Sequence, residues 1–98
     1  MKWSEVIEDR TLQDLPYKIE LNEWGNIVMT PASNRQGFIQ GKIARFLNQQ
    51  NLSGETLPEC SIETSKGVKV ADVIWGSGRF FEQNGLETPY RIAPEICV

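Results

Sequence analysis

Asp72 is the residue most at odds with its surroundings. It lies within Val68-Lys69-Val70-Ala71-Asp72-Val73-Ile74-Trp75, a stretch apolar on nearly both faces of a strand, which predicts a central position in a sheet. Aspartate is disfavoured in strands, and a charge placed there is costly unless it is paired or bound to metal. Two readings stand for it: a structural carboxylate bonded to backbone or a nearby arginine, or a metal ligand aimed into a cleft. The other acids are less conspicuous. Glu20 sits between Ile19 and Leu21, on the polar side of an alternating strand, and taken alone is a solvent-facing residue. Glu59 and Glu63 alternate along one strand face and read as surface charges able to pair with Lys66 or Lys69.

The chain contains no histidine, which removes the Ser-His-Asp triad, the Cys-His pair, His-ligated zinc and the imidazole base together. Its two cysteines, Cys60 and Cys97, have no Cys-x-x-Cys spacing, so they read as buried, reduced thiols and exclude a zinc site. Chemistry must then run on carboxylates, lysines or a hard metal held by oxygen. The segment from Trp24 to Gly54 holds no acid, yet carries Arg35, Lys42 and Arg45. On a helix these three fall within an arc of about 80°. They form either a solvated flank or a basic strip suited to phosphates. Gly76-Ser77-Gly78 is not a phosphate-binding loop, because the Gly-Lys-Ser/Thr that such a loop needs is missing.

The elements that must position these residues follow from periodicity. Spaced apolar residues from Trp3 to Leu15 predict a short helix or turn. Tyr17–Leu21 and Ile27–Thr30, separated by Glu23-Trp24-Gly25-Asn26, predict a β-hairpin. Ser33 followed by Gln36 is a capping-box pattern that starts a helix near Asn34. Ile39, Ile43, Phe46 and Leu47 give that helix an apolar face, and Asn51 and Gly54 close it. Thr56–Thr64 and Val68–Trp75, joined by Ser65-Lys66-Gly67, predict a second hairpin. Arg79–Leu86 reads as a helical turn and Ile92–Val98 as the start of a buried strand. The expected class is α/β in the broad α+β sense, a mixed sheet of two hairpins flanked by helices.

Ninety-eight residues allow one small domain or a piece of a larger one. With 40% hydrophobic and 23% charged residues the chain reads as globular, and a net charge of −3 argues against a surface basic throughout. The charged start MKWSEVIEDR is not a signal peptide, and no apolar run nears the ~20 residues of a membrane span. The expected location is cytoplasmic. The apolar ending Ile96-Cys97-Val98 is read as a strand still under way, as in a fragment, completed by a second copy in a homodimer or lying at a sheet edge.

The order and wording of these elements resemble a known family. LPYKIELNEWGNIVMTPASNRQGFIQGKIARFL is similar to the opening of the restriction-endonuclease-like family called Uma-two, within the PD-(D/E)XK nuclease superfamily. VKVADVIWGS resembles its apolar Asp-bearing strand, and IAPEICV the run-in to its catalytic strand. The resemblance implies a restriction-endonuclease-like fold, DNA as substrate and Mg²⁺ as cofactor. It assigns Asp72 as the metal-binding aspartate and Glu20 as the auxiliary acid of the first strand. The catalytic glutamate would fall at the position after Val98, so these residues alone imply an inactive site. A shifted alignment instead makes Glu95 the catalytic acid, with Cys97 where a lysine belongs. One departure is clear: Gln36 stands where the family often has histidine.

Overall fold

The structure, a computed structural model, describes residues 1–50 and 53–98. A short helix, α1 (Trp3–Glu8), opens the chain, with the Glu5 carboxylate accepting the Lys2 backbone N–H at 3.1 Å. A 3-10 turn (Arg10–Leu12) leads to β1 (Tyr17–Leu21), which pairs antiparallel with β2 (Ile27–Pro31). The turn between them is built by Asn22, whose side-chain oxygen accepts the N–H groups of Trp24 and Asn26. This Asx-type turn mimics backbone bonding and fixes the hairpin register.

Helix α2 (Asn34–Asn48) starts where the Ser33 hydroxyl accepts the Gln36 N–H at 3.1 Å. It ends earlier than expected, with Gln49 as its cap; Asn51 lies outside the described residues, and Gly54 opens a strand. Gly54 lies so close to the facing strand that a Cβ there would collide with the Gly76 carbonyl and the Trp75 ring. That close approach, not helix termination, is its use.

The second hairpin consists of β3 (Gly54–Thr64) and β4 (Gly67–Ser77), and helix α3 (Gly78–Asn84) follows, capped by the Ser77 hydroxyl. The last strand, β5 (Ile96–Cys97), pairs with the other edge of β4, so the strand bearing Asp72 is central as predicted. Two expectations are corrected. The hairpins do not merge into one mixed sheet but form two antiparallel sheets, β1-β2 and β3-β4-β5. The C-terminal segment is not a buried strand from Ile92: Ile92 and Val98 are exposed and pairing is confined to the sheet edge. Pro94 carries no N–H for a ladder, which keeps the strand short.

Two apolar clusters hold the elements. Cys60, Ile62, Ile74, Phe80 and Tyr90 form one, with Phe80 and Tyr90 ring centroids 5.0 Å apart edge-to-face. Val6, Leu21 and Val68, with Trp3 and Ile19 against them, form the other and seat the first hairpin on β4. Gly67 lies at this seat. Its φ of +99° is in the left-handed region, and a Cβ would run into the Leu21 carbonyl and Asn22. Gly67→Ala therefore carries two penalties, backbone strain and collision. The expected loss in urea denaturation exceeds about 1 kcal/mol; an unchanged midpoint would show that β1 does not press on this turn.

Candidate functional site

β1 is laid along β4 without joining its ladder. Alternation turns Ile19 and Leu21 toward the second cluster and sends Lys18 and Glu20 to β4. The Lys18 Nζ donates to Asp72 Oδ1 at 3.1 Å, and the Val70 N–H donates to Glu20 Oε2 at 2.6 Å. Two residues along β1 match two residues along β4 in the opposite sense, so the strands run antiparallel where they meet. Lys18 and Asp72 are both partly exposed, at 24% and 36% of their side-chain surface.

Asp72 is thus neither bonded to an arginine nor alone in an apolar strand. Its charge is met by a lysine fifty-four residues earlier. Glu20 is spent on a backbone amide, so its carboxylate fastens β1 to β4. Sequence reasoning paired neither acid with its partner; the strand alternation that put Lys18 and Glu20 on one side of β1 was the signal available.

Asp72 and Lys18 line a cleft of about 660 Å³, shared with Tyr17, Gln36, Glu59 and Ser61. Glu59 was read as a surface charge. It is exposed, but it belongs to this cleft and makes no ion pair with Lys66 or Lys69; among the described residues the ion pairs are Lys18–Asp72 and Arg91–Glu87. The β3–β4 ladder pairs Pro58 with Val73 and Cys60 with Ala71, and skips the pair between, which is Glu59 and Asp72. There Glu59 takes φ +50°, a conformation few side chains other than Asn and Asp adopt readily. No sequence signal announces that irregularity.

Glu95 stands apart from Asp72. Its carboxylate accepts the Ser77 N–H at 3.0 Å, and bonding to Ser77 holds its pKa below the usual glutamate value. The residue after it, Ile96, pairs with Trp75, so Glu95 lies about four residues along β4 from Asp72, roughly 13 Å. The shifted alignment therefore does not bring Glu95 to Asp72. Val98, by contrast, exchanges backbone bonds with Val73, and its carbonyl also accepts the Asp72 N–H at 2.8 Å.

Among the described residues no three of His, Cys, Asp and Glu gather to hold a metal. Three carboxylates line the cleft, Asp14, Glu59 and Asp72, without converging on one point.

Arg35, Lys42 and Arg45 are all exposed on α2, as read from the sequence. Only half of the predicted apolar face of the helix is covered. Ile43 and Leu47 are half-buried against the sheets, whereas Ile39 and Phe46 are exposed. The thiols also divide. Cys60 is buried, and burial, with Cys97 nearby, pushes its pKa up to about 11; Cys97 is exposed, which corrects the expectation for that residue. No helix among the described residues is long and apolar enough to cross a membrane.

Two outcomes check this geometry. A double-mutant cycle with Lys18→Met and Asp72→Asn, read by urea denaturation, is expected to give a coupling no larger than about 1 kcal/mol, because both groups meet water. The raised Cys60 pKa makes stability fully present below pH 9 and lost as pH rises toward about 11, since the unfolded thiol ionises first. Cys60→Ala is expected to flatten that alkaline loss; an unaltered profile would assign it to other groups. Compared with known proteins, the chain matches no family model, and no curated protein or solved structure matches it.

Proposed function

We propose that the chain is a nucleic-acid-binding domain of the metal-dependent endonuclease type, with the restriction-endonuclease-like fold that its resemblance to the Uma-two family implies. The observation that carries this reading is the cleft in which Asp72, on a central strand, faces Lys18 and shares its walls with Glu59. Order supports it as well: hairpin, helix, hairpin with the aspartate, then a returning strand beside it. In the resemblance the catalytic glutamate follows Val98. Val98 itself lies beside the Asp72 strand, exchanging backbone bonds with Val73 and accepting the Asp72 N–H.

In such a site Asp72 and Glu59 would hold Mg²⁺. An ion held there would supply a water of lowered pKa and positive charge beside the scissile phosphate. Lys18 contributes a cation at the same place, where charge grows on phosphate oxygens during cleavage. Glu20 acts through the backbone: by gripping the Val70 amide it holds β1, and hence Lys18, at the cleft. Arg35, Lys42 and Arg45 give the substrate backbone a cationic approach along α2. Asp14, Glu59 and Asp72 line the cleft without converging and Lys18 is held by Asp72, so weak cleavage is expected, on the order of 10³-fold or more below a complete site.

A second reading is assembly of two copies through the outer edge of β5, which has no partner among the described residues. Two residues of strand offer few backbone bonds, so this reading ranks below the first. A clean monomer by light scattering at high concentration would end it.

The nuclease reading is tested by Mn²⁺ titration and by nicking of supercoiled plasmid. One Mn²⁺ site is expected, weakened at least tenfold by Asp72→Asn, with slow nicking abolished by Asp72→Ala. Ion binding indifferent to Asp72→Asn, or nicking that survives Asp72→Ala, would sink it.

A further inference from the structure

The outer face of α2 combines cations and large apolar side chains in a way that phosphate contact alone does not require. Phe38 is 65% exposed, Phe46 61% and Ile39 46%. At 100° per residue these three share an arc of about 120° with Arg35, Lys42 and Arg45, the two kinds interleaved. Lys42 Nζ stands 4.7 Å from the centroid of the Phe38 ring, so a cation covers one ring face. From Trp24 to Gly54 no acid opposes these charges. The opposite side of α2, through Ile43 and Leu47, is already docked on β3 and β4.

We infer that this face binds single-stranded nucleic acid, with Phe38 and Phe46 stacking on unpaired bases while Arg35, Lys42 and Arg45 meet the phosphates. The inference rests on the nucleic-acid part of the proposed function, but not on cleavage. Aromatic side chains alternating with cations are the physical signature of single-strand platforms, since every base has a π-face to stack. A duplex keeps its bases stacked inside and would leave both phenylalanines idle. Phe38 and Phe46 are separated by about 12 Å along the helix, so they meet different nucleotides of one strand. Two other occupants fit less well. An isologous pair of α2 faces would set Arg35, Lys42 and Arg45 against their own copies. A membrane-lying helix segregates its apolar face from its charged one, whereas here they interleave.

Fluorescence anisotropy with a labelled oligothymidylate and a duplex of equal length tests the inference. The single strand is expected to bind tighter than the duplex, with log K falling against log[salt] at a slope near about −2 for three phosphate contacts. Phe38→Ala and Phe46→Ala, both exposed positions, are each expected to weaken the single strand about tenfold and leave the duplex unchanged. Circular dichroism confirms that the variants fold. Asp72→Ala is expected to retain binding even where it abolishes nicking, which separates this inference from the cleavage reading. Duplex preferred over single strand, phenylalanine variants that bind as the parent does, or no binding at all would overturn it. So would capture by phosphatidylserine vesicles, or self-association that Phe46→Ala abolishes, in place of oligonucleotide binding.

Discussion

The first hairpin is held to the rest of the molecule by its crossing with β4, and the candidate site exists only because of that crossing. A lone two-stranded hairpin is marginal in water. Here β1 gains apolar contact through Leu21 against Val68 and Val6, and directional contact through Glu20 on the Val70 amide. A carboxylate accepting a backbone N–H is a charge-assisted bond with a defined geometry, so it fixes where β1 lies as well as that it lies there. Gly67, with no side chain at the turn below, lets the two backbones approach. Lys18 arrives at Asp72 as a consequence of that placement.

Charge is distributed unevenly over the same framework. Residues 24–54 carry three cations and no acid, so the remainder of the chain carries −6. The net −3 thus conceals two regions of opposite sign, and a long-range field would orient an anionic ligand toward α2. The helix can afford this arrangement because its sheet-facing side needs only Gln40, Ile43, Ala44 and Leu47, all half-buried. Its remaining large apolar groups are left facing water, beside the cations.

Local rules made much of the fold legible. The Ser33 cap, the Glu23–Asn26 turn and both hairpins are fixed by residues close in sequence and occur as expected, although Asn22, which ties that turn, was not singled out. What escaped depends on long-range placement. Ile39 and Phe46 have the right period for a core face, but the sheets touch the helix along a line rotated toward Ile43 and Leu47, and periodicity cannot say which side of a broad apolar arc will be covered. Of the site, Asp72 was conspicuous because a charge in an apolar strand needs an explanation. Lys18 was not, since a lysine on the polar side of a strand is ordinary. Glu59 is exposed, as a surface charge should be, but its left-handed backbone and its place in the cleft had no signal in the sequence around it.

The Lys18–Asp72 pair also has the energetics that a binding cleft requires. A fully buried pair would be difficult to separate, because each ion left alone would lie unsolvated in a poor dielectric. At 24% and 36% exposure, each partner instead keeps access to water, and their attraction is worth little net. A ligand that presents a phosphate to Lys18 and a cation to Asp72 gives both groups a new counter-charge in one event, so separation costs little. A bipolar ligand gains most from such exchange, but a cation alone can still reach Asp72, because the released Lys18 keeps access to water. On the proposed nuclease reading, this partly solvated ion pair yields to a metal-bearing phosphodiester at little cost and bars neither component alone.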